Sequence, residues 1–237
     1  MNNSALNIKI FADGADIGAI LELAENPLVK GFTTNPTLMH RAGVVDYESF
    51  AREVLGVVRE VPVSFEVIAD EFADMGRQAR KIAAWGDNVY VKIPITNTSG
   101  ESSTELIRDL TSDGLKLNVT ALTTLEQVDA VSLALSPLVP SIVSVFAGRI
   151  ADTGMDPVPV MEEALKILAP LPDAELLWAS PRELLNVVQA EKSGCHIITV
   201  THDLLRKLSG LGRDLAVVSL DTVVMFYEDA VRSGLTL

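Results

Sequence analysis

The chain has 237 residues, of which 48% are hydrophobic, and a formal net charge of −13. This length can bury a substantial core and suits a single α/β domain, and the apolar content argues against disorder. The acidic excess argues against nucleic acid as a partner, and any anionic substrate would need a local basic pocket.

The sequence carries no signal for secretion or membrane insertion. Residues 1–4 are polar and lack a signal-peptide pattern, and no apolar run approaches the length of a membrane span. The single cysteine, Cys195, excludes an internal disulfide and fits a reducing compartment. We therefore expect a cytoplasmic protein without a membrane partner.

Short apolar runs alternate with longer amphipathic segments from end to end. The predicted strands are 8–13, 31–34, 63–67, 89–93, 115–120, 142–147, 175–180 and 196–200. The predicted helices are about 16–25, 47–60, 70–85, 102–112, 124–135, 157–169, 181–193 and 201–209, followed by a last amphipathic segment at about 219–233. Eight strand–helix repeats predict a parallel sheet closed into a (β/α)8 TIM barrel. The domain covers 1–237, with an additional C-terminal helix at about 219–237.

Three helix starts carry a local signature. Segments 102–105 and 123–126 fit the capping box, in which a hydroxyl and a carboxylate satisfy end amides. At 180–183, Pro181 suits the first helical position, where its missing N–H costs nothing.

Polar residues gather toward the C-terminal ends of the predicted strands. Since side chains alternate faces along a strand, Lys92 and Tyr90 oppose Val89, Val91 and Ile93. The same rule brings to the barrel-facing rim Asp13, Glu66, Lys92, Asn118, Thr120 and Ser180, the last on one face with Trp178. Barrel enzymes place their chemistry at that rim. The alternatives are ordinary polar strand ends entering loops and, for Lys92, a stem that packs while its head reaches water.

A lysine with two carboxylates and hydroxyls suits Schiff-base chemistry on a carbonyl. Burial lowers the pKa of an ammonium and supplies the free amine that attacks a ketone, and a neighbouring acid/base moves the protons for C–C cleavage. The histidines, His40, His196 and His202, form no close metal-binding pair, and His196 fits a satisfied core or loop residue. The sequence therefore favours a route without metal or cofactor.

Two arginines are candidates for an anionic substrate group. Ser180 and Arg182 open the predicted helix after the seventh strand, where free amides, the helix dipole and a guanidinium would together bind an anion. Arg149 follows the sixth strand. The alternatives are a simple N-cap at Ser180, a solvated Arg182, and for Arg149 a salt bridge to Asp13, Asp16 or Asp152.

Six stretches resemble the transaldolase family in the correct order over nearly the whole chain. They are Phe11-Ala12-Asp13, Thr33-Thr34-Asn35-Pro36-Thr37-Leu38, Val91-Lys92-Ile93-Pro94, Leu117-Asn118-Val119-Thr120-Ala121, Ser144-Val145-Phe146-Ala147-Gly148-Arg149-Ile150 and Ala179-Ser180-Pro181-Arg182. The resemblance implies a transferase that moves a dihydroxyacetone unit from a ketose phosphate to an aldose acceptor.

The resemblance also implies a role for each site residue. Lys92 would form the iminium, Glu66 with Thr120 would position the water that carries protons, and Asp13 would be the acid/base at the C4 hydroxyl. The implied substrate-binding residues are Thr34, Asn35, Asn118, Ser144 and Phe146, with Arg149, Ser180 and Arg182 at the anionic end.

Two residues bear on whether the chain resembles the transaldolases or the fructose-6-phosphate aldolases of the family. The related fructose-6-phosphate aldolases resemble this chain in length, but carry glutamine at the place of Glu66 and tyrosine at the place of Phe146. A phenyl ring offers no proton relay to water, so transfer is favoured over release of free dihydroxyacetone. A lyase, a transaldolase for a nonstandard sugar rather than a pentose-phosphate intermediate, and a silent sugar-phosphate-binding protein remain alternatives.

The short length resembles the compact subfamily, which often assembles into rings through its C-terminal helix. The apolar stretch 222–230 suits docking on a neighbouring subunit, although packing on its own barrel is the alternative. The expected partners are therefore sugar phosphates and further copies of this chain.

Overall fold

A computed structural model describes residues 6–234. The polar segment 1–4 and the last residues of the predicted helix 219–237 lie outside the described residues.

Eight parallel strands close into a barrel in chain order, and the eighth pairs with the first. The predicted TIM barrel is confirmed. The strands are β1 Lys9–Asp13, β2 Val29–Thr33, β3 Val63–Glu66, β4 Val89–Pro94, β5 Leu117–Leu122, β6 Ser141–Val145, β7 Ala174–Trp178 and β8 Ile197–Thr201.

Helices connect the strands on the outside of the barrel. They are α1 Ile17–Ala24, α2 Pro36–Arg41, α3 Tyr47–Val57, α4 Phe72–Ala83, α5 Thr104–Ser112, α6 Leu125–Ser132, α7 Ala147–Asp152, α8 Val158–Leu168, α9 Leu185–Ser193, α10 His202–Lys207 and α11 Leu215–Ser233. The short helices α2 and α7 were not predicted, because six residues are too few to show a helical period.

The two faces of each strand serve two separate cores. In β4, Val91 and Ile93 are fully buried in the outer core between strands and helices. The opposite face of the strands supplies a smaller cluster inside the barrel, formed by Phe11, Ile142, Leu177, Ala179 and Ile197 with Tyr90 and Phe146. We call this cluster the plug. Gly31 is essential to it, since a Cβ there would lie 2.5 Å from the Phe11 ring.

The structure corrects three predictions about strand and helix ends. Trp178 packs in the outer core and does not share the barrel-facing side with Ser180. Ser103 caps no amide of α5, because its hydroxyl donates to the Pro94 carbonyl instead. The capping box at α6 exists one residue later than predicted, because it joins Thr124 and Gln127 rather than Thr123 and Glu126.

Helix α11 differs from the helices that cover the barrel, because none of its residues is buried. It begins at Leu215, earlier than predicted, where Asp214 accepts hydrogen bonds from the amides of Ala216 and Val217. Its exposed apolar side chains are Leu215, Val217, Val218, Leu220, Val223, Val224, Met225, Phe226, Tyr227 and Val231. Within residues 6–234 no helix combines the length and apolar character needed to cross a membrane.

Candidate active site

A cleft of about 600 Å³ opens at the C-terminal ends of the barrel strands. The predicted site residues that line it are Asp13, Asn35, Glu66, Lys92, Asn118, Thr120, Ser144, Phe146, Arg149, Ser180 and Arg182. Thr33, Arg41 and Thr199 also line the cleft and were not predicted. In β1, β4, β6 and β8 one two-residue step leads from a plug residue to a cleft residue, from Phe11, Tyr90, Ile142 and Ile197 to Asp13, Lys92, Ser144 and Thr199.

Lys92 is buried at the base of the cleft, with only 7% of its surface exposed. Its Nζ donates to the Thr34 carbonyl at 2.8 Å and lies 2.9 Å from Glu66 Oε2. Lys92 and Glu66 pair across β3 and β4, which places both side chains on the same inner face. The alternative of a lysine head that reaches bulk water is therefore wrong.

Thr34 contributes to the site through its backbone carbonyl, which accepts the hydrogen bond from Lys92 Nζ. Its side chain is fully buried, and its hydroxyl donates to the Ser64 carbonyl at 3.0 Å, so it does not line the cleft. The orientation of its carbonyl toward Lys92 could not be read from the residue type.

Asp13 ends β1, two strands from Glu66 on β3 around the barrel. Its Oδ1 accepts a hydrogen bond from Thr33 Oγ1 at 2.8 Å. Burial raises the pKa of Asp13 above its ordinary value, an effect that Lys92 and the Thr33 hydroxyl partly oppose and Glu66 reinforces. A carboxyl group with a raised pKa, in a cleft that also holds a lysine, is suited to exchange protons with a substrate.

Thr120 presents a polar atom that the protein itself does not satisfy. Its Oγ1 is buried and has no hydrogen-bond partner among residues 6–234. The next residue, Ala121, has φ of +66°, and the pairing of β5 with β6 is irregular there. Because buried hydroxyls are rarely left unpaired, this oxygen is suited to bind a substrate or water.

A hydrogen-bonded chain orients Asn118 at the centre of the cleft. Ser144 Oγ donates to Asn118 Oδ1 at 2.6 Å, and Asn118 Nδ2 donates to Ser64 Oγ at 3.0 Å. Ser64 was not predicted as a functional residue. Asn35 lies at the edge of the cleft, where its Oδ1 caps α2 by accepting from the Leu38 amide at 2.9 Å.

The structure contradicts the predicted anion site at the N-terminus of the helix after the seventh strand. Helix α9 begins at Leu185, and the amides of Arg182 and Glu183 donate to Asn186 Oδ1 at 2.7 and 3.2 Å. Ser180 is not an N-cap, since its backbone has φ of +61°. The cleft therefore offers an anion the side chains of Ser180 and Arg182 instead of helix amides.

Close backbone contact explains the conformation of Ser180. A Cβ on Gly148 would lie 1.6 Å from the Ser180 carbonyl oxygen, so only glycine fits at this point. The guanidinium of Arg182 donates to Ser180 Oγ at 3.0 Å and forms an ion pair with Asp152. That pair lowers the pKa of Asp152 below its ordinary value.

Two further arginines reach the cleft. Arg149 is exposed, and within residues 6–234 it forms no salt bridge with Asp13, Asp16 or Asp152. Asp152 pairs with Arg182 instead. Arg41 ends the short helix α2, which was not predicted. Both residues give a strongly acidic protein local positive charge at the mouth of the site.

The described part of the chain contains no cluster of three or more His, Cys, Asp or Glu residues that could hold a metal ion. His196 serves the fold, since its Nδ1 accepts from the Leu176 amide at 2.9 Å.

Fold and site together define a TIM-barrel enzyme of the aldolase kind. The profile of the transaldolase/fructose-6-phosphate aldolase family matches residues 10–233. A probable transaldolase of Dehalococcoides mccartyi is 33% identical over 217 residues, which are 88% of this chain and 97% of the relative. Probable transaldolase 2 of Listeria monocytogenes is 35% identical, over 85% of this chain and 88% of the relative. The chain belongs to the transaldolase/fructose-6-phosphate aldolase family.

Solved structures confirm the fold independently. A dihydrodipicolinate synthase from Rhodopseudomonas palustris superposes with a TM-score of 0.59 at 15% identity, over 90% of this chain and 79% of the other. A 2,3-dimethylmalate lyase gives a TM-score of 0.56 at 14% identity, over 97% and 85%.

Proposed function

We propose that this protein is a transaldolase that moves a dihydroxyacetone unit from a ketose phosphate to an aldose acceptor through a Schiff base on Lys92. The buried Lys92 Nζ, held between the Glu66 carboxylate and the Thr34 carbonyl at the base of the cleft, carries the proposal. A family member with a silent site would have no use for a buried charge at that place.

The first step is attack of the Lys92 amine on the C2 carbonyl of the donor. Glu66 Oε2 is 2.9 Å from Nζ and is the nearest group that can take the ammonium proton. Addition gives a carbinolamine, which loses its hydroxyl as water and becomes the iminium. Glu66 supplies the proton for that departure, and the unpaired Thr120 hydroxyl holds the water.

The second step breaks the C3–C4 bond. Asp13 takes the proton of the C4 hydroxyl, the bonding electrons move into the iminium, and an aldehyde leaves. Lys92 then carries a three-carbon enamine. When the acceptor aldehyde arrives, the enamine carbon attacks it and Asp13 returns the proton to the new alkoxide. Water then hydrolyses the product iminium and frees Lys92.

Binding of the two ends of the substrate follows from the polar groups of the cleft. The amide of Asn118, fixed by Ser144 and Ser64, and the edge residue Asn35 suit the hydroxyls of the three-carbon fragment. Arg149 and Arg182, with Ser180, suit the phosphate. The ion pair between Arg182 and Asp152 holds the guanidinium at the cleft before the substrate binds.

The assay that tests this proposal compares donor turnover with and without an acceptor. Given fructose 6-phosphate alone, a strict transferase should release about one glyceraldehyde 3-phosphate per subunit and then stall, because the enamine has no partner. Addition of an aldose phosphate should restore continuous turnover. Continuous release of free dihydroxyacetone without an acceptor would instead establish a lyase, and the absence of any turnover with several ketose phosphates would contradict both.

We further infer that the protein assembles with copies of itself through α11. All its large apolar side chains are exposed, and the helix makes no substantial contact with the barrel of its own subunit. A contiguous apolar surface of this size is costly in water and marks an interaction site. Val224→Glu should shift the mass measured by light scattering toward the 25.5 kDa of one chain, and an unchanged mass would exclude α11 as the contact.

The proposal includes a cytoplasmic location, which the single buried thiol of Cys195 supports.

A further inference from the structure

Asp13 is held by a short chain of hydroxyl groups that the steps above do not use. Thr33 Oγ1 donates to Asp13 Oδ1 at 2.8 Å and lies 2.6 Å from Thr199 Oγ1. The three residues come from the neighbouring strands β1, β2 and β8. Thr33 is 3% exposed and Thr199 is 6% exposed, so bulk water competes little for these bonds.

The direction of the chain follows from counting protons. A threonine hydroxyl has one proton to donate, and that of Thr33 goes to Asp13. The proton in the bond between the two threonines must therefore come from Thr199. The chain runs from Thr199 to Thr33 to Asp13, and each donation strengthens the next.

The two carboxylate oxygens of Asp13 differ in their hydrogen bonding. Oδ1 accepts from Thr33, whereas Oδ2 has no hydrogen-bond partner within residues 6–234. Oδ2 is therefore the oxygen left to meet a substrate hydroxyl. Without the threonine chain the carboxyl group could rotate, and either oxygen could carry the proton.

We propose that Thr33 and Thr199 are positioning residues that fix Asp13 Oδ1 and reserve Oδ2 for proton transfer. This inference rests on the acid/base role of Asp13 in the proposed function. As the C3–C4 bond breaks, the proton of the C4 hydroxyl moves to Oδ2 while Oδ1 keeps its bond to Thr33. As the acceptor is joined, the same proton returns to the new alkoxide.

Other charged groups surround Asp13, and they are the same in every threonine variant. Lys92 from β4 and Glu66 from β3 face it across the main cleft. A smaller cleft on its other side is also lined by Asp16, Arg41, His202 and Asp203. A change in the titration of Asp13 between wild type and a threonine variant therefore reports the loss of the threonine hydroxyl.

The competing interpretation is that two buried threonines merely satisfy each other inside the barrel. That interpretation predicts a loss of stability without a change in the chemistry of Asp13. The proposal predicts that the ionised carboxylate loses a hydrogen bond, so the pKa of Asp13 rises further in Thr33→Val and, to a smaller extent, in Thr199→Val.

The experiment compares Thr33→Val and Thr199→Val with Thr33→Ser and Thr199→Ser, which retain a hydroxyl. Thr111→Val is the matched control, because Thr111 is also buried but its hydroxyl donates within α5 to the Ile107 carbonyl at 2.9 Å. Three quantities are measured for each variant. They are the rate of donor cleavage against pH, borohydride trapping of fructose 6-phosphate on Lys92, and the titration of the Asp13 carboxyl carbon by NMR, assigned with Asp13→Asn.

We expect Thr33→Val to slow cleavage about tenfold to a hundredfold, the worth of a hydrogen bond to a charged group, and Thr199→Val about threefold. The acidic limb of the profile should move to higher pH in both, the serine variants should restore it, and trapping should persist.

An Asp13 titration that is the same in Thr33→Val, Thr199→Val and Thr111→Val would overturn the proposal, whatever happens to stability. The NMR measurement needs no turnover, so it separates failure of this inference from failure of the transaldolase proposal, which absence of trapping in the wild type would show.

Discussion

The barrel interior divides into two regions that are built from the same strands. The plug is mainly apolar and includes the buried Phe11, whereas the mouth, two residues further along β1, β4, β6 and β8, carries charges and hydroxyls. In β1 the step leads from Phe11 to Asp13, and in β4 from Tyr90 to Lys92. The plug closes the barrel from below, so the mouth can bury its polar groups on rigid strands.

The residues that stabilise the fold and the residues proposed to carry out the chemistry occupy different positions along the same strands. Burying the plug stabilises the fold, because apolar side chains leave water. Burying Asp13 costs free energy, which its attraction to Lys92 and its hydrogen bond from Thr33 offset only in part. Substitutions in the two regions should therefore change different quantities.

The largest effect is expected at the mouth from Lys92→Ala. Loss of the nucleophile should lower transfer by about 10⁴-fold or more, since no other group in the cleft can form the iminium. The measurement is coupled turnover of fructose 6-phosphate and an aldose phosphate. Lys166→Ala, on the exposed face of α8, is the control and should retain full activity. Comparable loss in both variants would show that Lys92 has no special role.

Asp13→Asn should separate the two chemical steps. Without the acid/base, cleavage should fall about 10²-fold to 10⁴-fold, while trapping on Lys92 is retained. If trapping and cleavage fell together, the roles assigned to Asp13 and Lys92 would not be distinct.

The same substitution should stabilise the protein. Because burial raises the pKa of Asp13, the folded state binds a proton more tightly than the unfolded state, and ionisation at neutral pH costs stability. The free energy of unfolding of Asp13→Asn should exceed that of the wild type. The difference should grow as the pH rises above the ordinary value of 3.8 and level off above the raised native pKa. Denaturant unfolding from pH 4 to pH 8 measures it, and a difference that shrinks with rising pH would reverse the sign of the argument.

In the plug, Phe11→Ala should lower the stability of the fold and leave the reactivity of Lys92 intact. The ring is fully buried against Gly31, and its removal should lower the free energy of unfolding by about 3–5 kcal/mol. Chemical denaturation measures the loss. At a temperature where the variant stays folded, trapping on Lys92 should persist. Full stability combined with lost trapping would contradict the division between plug and mouth.

The smallest effect is expected from Gly148→Ala, which disturbs only one side of the mouth. The new methyl group would overlap the Ser180 carbonyl oxygen, so the Ser180–Arg182 segment must move, at a cost of about 1–3 kcal/mol. The KM for a phosphorylated acceptor should rise more than kcat falls. Gly56→Ala is the control, since its Cβ would meet open space in α3 and should preserve both stability and KM. An unchanged KM in Gly148→Ala would remove Ser180 and Arg182 from the acceptor site.

The barrel and most of the mouth could be predicted because both depend on a two-residue period. All eight strands and the inward face of Asp13, Glu66, Lys92 and Thr120 follow from alternation. Thr199 follows the same rule within β8, after Ile197, and could have been found by it. Helix α2 also carried a signal, an Asn35 cap followed by Pro36.

The remaining features depend on backbone geometry that residue types do not reveal. The positive φ of Ser180 moves the start of α9 to Leu185 and abolishes the expected helix-end anion site. The Thr34 carbonyl binds Lys92, although every residue has a carbonyl. Arg182 pairs with Asp152, whereas Arg149 is exposed. This difference depends on contacts between segments that are distant in the sequence.

The most direct test is to locate the covalent adduct. The protein is reduced with borohydride in the presence of fructose 6-phosphate, digested, and mapped by mass spectrometry. The expected result is a three-carbon or six-carbon adduct on the peptide that contains Lys92, at about one per subunit, and none in Lys92→Ala. A stoichiometric adduct on a different lysine, or continued transfer by Lys92→Ala, would contradict the proposal that the buried amine at the base of the cleft is the nucleophile.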